Sequence, residues 1–260
     1  MYKFLVSLVL LLMINSPAFC GVVQGGVEKE MIVGSNKVFD SKTNAPIKGA
    51  KISLPLENYS TYTDENGRFS LDANINGQTV MSVEKTGYKP YSVTINQNAA
   101  SKPIVLGIEK STPKDIIIDT DMFHLGDNSY SDASANAREF QVQSVGPYYS
   151  KNIKIPTIPQ GTKVSLVIGS IIGVDTRMAK ELGQNKVTNA YASAPEVYFN
   201  GNKIADIQVN GDRQKIKVPY NLIKQNQNNE ITIKTGRNLM QTAYVDYDDI
   251  EFMNLSIETK

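Results

Sequence analysis

From Met31 onward, short runs rich in Val, Ile, Tyr, Thr and Phe recur between clusters of Gly, Asn, Pro and Asp. Many of these runs alternate apolar and polar residues, which places one side-chain face on a core and the other in water. Ile52 and Leu54 in KISLP, Phe69 and Leu71 in RFSLD, Met81 with Val83, Val93 with Ile95, and Ile104, Leu106 and Ile108 form a first series. A second series opens at Asp115–Asp119. It continues through 140–145, 152–155, 164–168, 196–199, 203–209, 214–218, 230–234 and 249–257. No run sustains a helical period with caps, so the pattern predicts an all-β chain built of antiparallel sandwiches. Residues 173–194 are the exception: long, polar and expected to be helical in part. A connection of that length in a compact domain is often functional or mobile.

Asn66-Gly67 and Asn200-Gly201 are hairpin signals, because both turn positions tolerate positive φ. Pro113 cannot donate to a ladder and marks a break at 111–114. The expected organisation is therefore a sandwich at 31–110, a linker at 111–114 and a second sandwich at 115–260. The Gly-rich stretch 21–30 reads as a flexible leader. Ahead of it, Lys3 and the apolar run Phe4–Ile14 precede Asn15-Ser16-Pro17 and Ala18-Phe19-Cys20. This is the layout of a secretory signal peptide over residues 1–20, too short for a comfortable membrane span. Phe19 and Pro17 depart from the lipoprotein pattern, which favours removal of Cys20 over its lipidation. The expected location is secreted, periplasmic or cell-surface, with no membrane span after cleavage.

Composition narrows the chemistry. The 260 residues carry 27 Lys+Arg against 26 Asp+Glu, with one His, one Cys and no Trp. A nucleic-acid binder would show a basic surplus. The single His and Cys exclude a multi-His or Cys zinc site and an internal disulfide, and leave little room for histidine-dependent catalysis. His124 sits among apolar residues in MFHLGDN, with no G-x-S-x-G nucleophile turn, and is expected to be a packed or surface histidine rather than a catalytic one.

The runs VFDSKTNAPIKGAKISLP (38–55), TDENGRFSL (63–71) and VEKTGYKPYSVTI (83–95) resemble the carboxypeptidase regulatory-like domain. That resemblance implies a transthyretin-like, seven-stranded Greek-key sandwich over 31–110, serving as a structural or docking unit. EVYFNGNKIADI (196–207), KIKVPYNLIKQNQNNEITIKTG (215–236) and YVDYDDIEFMNLSIE (244–258) are similar to the galactose-binding-like jelly roll of carbohydrate-binding modules. This second resemblance implies a jelly roll over 115–260 and a sugar-binding role.

Asp246, Asp248, Asp249 and Glu251 form an acidic cluster, and a strand there would put Asp249 and Glu251 on one face, opposite Ile250 and Phe252. Adjacent carboxylates repel unless a positive charge lies between them. A second acid-rich segment, Asp127 to Asp132, would meet this cluster if the first and last strands are neighbours. Asp127, Asp132, Asp249 and Glu251 are therefore candidate ligands for a structural calcium, which takes six to eight oxygens; such an ion is common in folds the second resemblance names. The alternative is a solvated acidic edge that blocks sheet-to-sheet pairing.

Tyr130, Tyr148, Tyr149, Tyr191 and Tyr198 fall in or beside predicted loops and are the candidate ligand-binding residues. Exposed Tyr stacks on sugar faces or anchors proteins. No catalytic residue is assigned. The expectation is a non-catalytic binding protein that recognises a glycan or glycoconjugate through the jelly-roll loops. One alternative is a structural adhesin or envelope-assembly component that binds another protein. A weaker one is a small carboxylate-based polysaccharide hydrolase or lyase.

Overall fold

A computed structural model describes residues 35–127, 140, 142–185 and 191–260. The first sandwich pairs two sheets. β1 (Asn36–Asp40) lies between β4 (Arg68–Phe69) and β7 (Val105–Ile108), antiparallel to the former and parallel to the latter. Opposite it run β3 (Tyr59–Tyr62), β2 (Lys51–Leu54), β5 (Gln78–Glu84) and β6 (Tyr91–Asn96), in that order. Of the alternating residues, Ile52, Leu54, Phe69, Met81, Val83, Ile95, Ile104, Leu106 and Ile108 join Val38 in one core, and Leu71 and Val93 pack against it half-buried. Asn96 accepts a hydrogen bond from Ala99 N and caps the short helix α1 (Gln97–Ala100).

The Asn66-Gly67 turn differs from its hairpin expectation. Its flanking strands belong to different sheets, since β3 pairs with β2 and β4 with β1. Asp64 Oδ1 accepts the Asn66 and Arg68 amides at 2.8 Å, and this side-chain turn carries the chain across the sandwich.

The described residues of the second sandwich form eight strands, β8 (Ile116–Leu125), β9 (Tyr148–Lys154), β10 (Val164–Ile172), β11 (Glu196–Phe199), β12 (Asn202–Asp206), β13 (Gly211–Val218), β14 (Asn228–Lys234) and β15 (Ile250–Thr259). They form two four-stranded antiparallel sheets, ordered β13-β10-β15-β8 and β12-β11-β14-β9. Numbered within the domain, the orders are 6-3-8-1 and 5-4-7-2, the winding of a jelly roll. Leu125, Leu166, Ile168, Phe199, Ile231, Ile233, Phe252 and Ile257 fill the space between the sheets. Asn200-Gly201 does make the predicted hairpin: β11 and β12 close through it, with φ of 49° and 77°. Among its described residues, the 173–194 stretch holds one short helix, α2 (Arg177–Glu181), capped by Thr176. In the predicted run 140–145, the described residues make only an isolated bridge, between Ser144 and His124.

The two sandwiches belong to one compact unit. Leu56 and Val80 of the first pack against Phe140, Ile172 and Met253 of the second. Beside them, Thr94 of β6 donates its amide at 3.0 Å and its hydroxyl at 2.8 Å to Asp212, which also accepts from Ser170 at 2.7 Å. Lys89, Glu109, Asp115, Arg213, Lys215 and Glu258 form an ion-pair network around the 111–114 connection. Among the described residues, no helix is long and apolar enough to cross a membrane.

Candidate functional site

β8 ends where β15 begins, with Leu125 opposite Ile250. The described residues of the connections 126–147, 173–195, 207–210 and 235–249 therefore gather at one end of the jelly roll. Backbone bonds knit them together: Ala192 N to Asp175 O at 2.8 Å, Ser193 N to Arg237 O at 2.9 Å, Leu239 N to Tyr191 O at 2.8 Å and Asp248 N to Gly236 O at 3.1 Å. Asn210 Oδ1 accepts from Val174 N at 2.7 Å and ties in the 207–210 connection. Side chains held this way meet a ligand with little further ordering cost.

This end is where apolar side chains reach solvent. Among the described residues, Val145, Tyr148, Met178, Leu182, Leu239, Met240, Tyr244 and Val245 are strongly exposed and all lie on these connections or their strand ends. The other large apolar groups of comparable exposure are Tyr62, Val105 and Ile117. Met178 and Leu182 are four residues apart, on one side of the α2 turn. Lys180, between them, stands 4.2 Å over the Tyr191 ring, further along the same connection.

Beneath the loops lies a buried polar layer. His124 Nδ1 is 2.6 Å from the Val142 carbonyl and Nε2 is 2.9 Å from Asp249 Oδ1, so acceptors face both ring nitrogens. Two acceptors call for two N–H donors, which is the imidazolium. Burial alone would depress the His124 pKa. The bonds to Asp249 and Val142 and the field of Asp249 and Glu251 outweigh it, and the pKa is raised. Glu251 sits opposite His124 in the β15–β8 ladder, fully buried, with neither carboxyl oxygen in a hydrogen bond of good geometry. Burial pushes its pKa up to about 8, against the opposing pull of His124. Asp248 is also held well above the usual carboxylate range, by burial first and then by Asp175 beside it. Asp246 is raised by burial, with Asp127 and Asp249 adding repulsion. Gly126 makes the layer possible: a Cβ there would fall 1.8 Å from Asp249 Oδ1.

The predicted site residues distribute unevenly. Tyr148 is exposed at the loop end, at the start of β9 rather than in a loop. Tyr191 is half-buried among the knitted loops. Tyr198 lies on β11, on the outer sheet face, with its hydroxyl donating to Glu196 at 2.7 Å and Lys234 Nζ 4.5 Å from its ring. Tyr149 is a correction: it is 6 % exposed, packs against Phe123 and Phe252, and donates to Asp119 at 3.1 Å. Strand alternation turns it into the core while Tyr148 faces out. Tyr130 and Asp132 lie outside the described residues.

Of the first acidic segment only Asp127 is described, and it meets the second: Tyr247 N donates to Asp127 Oδ2 at 3.2 Å. Asp249 and Glu251 share the face opposite Ile250 and Phe252, and both look onto His124. Among the described residues, no three His, Cys, Asp or Glu side chains converge to hold a metal ion. The aliphatic residues of the loop end are not among the candidate ligand-binding residues named from the sequence, which are all tyrosines. The signal was present in NLMQTAYV (238–245), an apolar-rich stretch between two strands.

Comparison with known proteins bears on the first sandwich. Residues 35–115 match the CarboxypepD_reg-like domain family. That match covers the first sandwich and the connection after it, and leaves the jelly roll unassigned. Among solved structures, dimeric latent PorU from Porphyromonas gingivalis is similar over 80% of this chain and 21% of that chain, at 10% identity and a TM-score of 0.24. At that level the likeness carries no argument about fold or activity. No curated protein matches the chain.

Proposed function

We propose that this chain is an exported, non-catalytic binding protein whose jelly-roll loop end docks onto a protein partner of the cell envelope. The CarboxypepD_reg-like sandwich would serve as its rigid base. The carrying observation is the concentration of exposed Met, Leu, Val and Tyr side chains on loops braced by backbone hydrogen bonds. Contiguous exposed apolar surface on a soluble domain marks an interaction site, and aliphatic anchors suit a protein surface better than a sugar. A non-catalytic role is supported by the burial of His124, Asp249 and Glu251, which keeps the reactive groups from solvent. The export rests on the signal-like residues 1–20.

A glycan ligand is the second reading. Tyr148 and Tyr244 are exposed at the same end and can stack on a sugar ring. The similarity of the second half to galactose-binding-like modules points the same way.

Site-specific photo-crosslinking tests the proposal. A photoreactive phenylalanine analogue replacing Tyr244 should capture a discrete protein in envelope preparations, and one replacing Tyr62 on the first sandwich should not. Equal capture from both positions, or none from Tyr244 while a glycan array gives saturable signal, would move the account to the second reading.

A further inference from the structure

At the opposite end of the jelly roll, the start of β8, the end of β15 and the 155–163 connection enclose a recess of about 280 Å³. Its walls are Ile116, Ile155, Ile158, Pro113, Pro156 and Pro159. Ile155 and Ile158 also belong to the domain core, so the recess reaches the core itself. Its shape is fixed. Two of the wall residues are prolines of the 155–163 connection. The Ile158 carbonyl accepts from Tyr220 at 3.2 Å, and Asn226 donates to Thr157 at 2.6 Å.

The rim is basic. Lys114 and Lys260 line the recess, and Lys163 pairs its backbone with Lys260 at 2.9 and 3.0 Å. The neighbouring acids are engaged elsewhere: Asp115 with Lys89 at 3.3 Å, and Glu258 with Lys215 at 2.6 Å and Arg213 at 2.9 Å. No acidic side chain lines the recess. Among the described residues, Lys114, Lys163 and Lys260 form no ion pair.

We infer that this recess binds a small amphiphilic carboxylate, its apolar body on the isoleucine and proline walls and its charge between the rim lysines. A dry apolar cavity of roughly 150 Å³ accepts benzene, so this one accommodates an alkyl or aryl body of about eight carbons. Apolar walls with a few convergent polar groups are the general make-up of small-molecule sites. The lysines select the sign of the headgroup, since a like charge there would be repelled. This site is independent of the loop-end reading.

Octanoate is the probe, with octan-1-ol and octylammonium as controls of the same chain, titrated calorimetrically into the full chain. Octanoate should bind saturably at one site, about fivefold tighter than octan-1-ol, and octylammonium should not bind. Thr162→Trp, which fills the mouth from a half-buried rim position, should abolish binding with the melting curve unchanged. Lys114→Glu should bring octanoate down to the level of octan-1-ol or below. Absence of saturable octanoate binding, equal binding of octylammonium, or full binding by a folded Thr162→Trp chain would each overturn the assignment.

Discussion

Glu251 is the residue whose surroundings disagree most with its chemistry. It is a carboxyl group in a fully buried position, with no good hydrogen bond and with Asp249 and Glu57 adding repulsion. Its pKa of about 8 makes it neutral at physiological pH in the folded chain and charged in the unfolded chain. The folded state therefore binds the extra proton between about pH 4.5 and 8, and stability must fall as pH rises through that window. His124 works in the same direction, because its raised pKa contributes stability that is lost at higher pH. The Glu251 part of that loss by pH 9 is on the order of 5 kcal/mol. Glu251→Gln keeps the shape and removes the larger titration. Its melting temperature should decline much less than wild type between pH 6 and 9, as read by circular dichroism. Identical slopes for the two chains would remove Glu251 from the explanation.

At the scale of elements, alternation carried most of the information. β2, β6, β7, β11, β13 and β14 fall on runs whose apolar residues repeat every second position, as a sheet with one wetter face requires, whereas β5 and β15 are buried on both faces. Where local signals compete with tertiary ones, the reading broke. Asn66-Gly67 makes a tight turn, but no local rule says which sheet the next strand joins. Tyr148 and Tyr149 are adjacent tyrosines with opposite fates, set only by the register of β9 against β14. The loop-end surface was legible only in part, because its aliphatic residues follow no period and gather through folding of distant loops.

β10 shows how tightly two elements can be fitted. A Cβ at Gly169 would come within 2.5 Å of both Ser92 Oγ on β6 and Asn254 Cβ on β15. Gly169→Val should therefore part β6 from β10 and cost about 1–3 kcal/mol. Limited proteolysis should then cut the 111–114 connection faster than in wild type. Unchanged melting and cleavage would mean that the close contact tolerates added bulk.

Taken as a whole, the molecule couples two sandwiches through an apolar patch, the Asp212 hydrogen bonds and the Lys89–Glu258 network. That coupling leaves one end of the jelly roll to present apolar loops and the other to hold a basic-rimmed recess. The central claim is that the loop end recognises a partner through its exposed aliphatic residues. Competition binding tests it most directly: labelled wild-type chain is bound to envelope preparations and displaced by unlabelled wild type or by the Leu239→Asp, Met240→Asp double variant, matched for folding by circular dichroism. The variant should need at least about tenfold more protein for the same displacement, since truncating or charging anchor residues removes most interface energy. Equal displacement by both chains would contradict the claim.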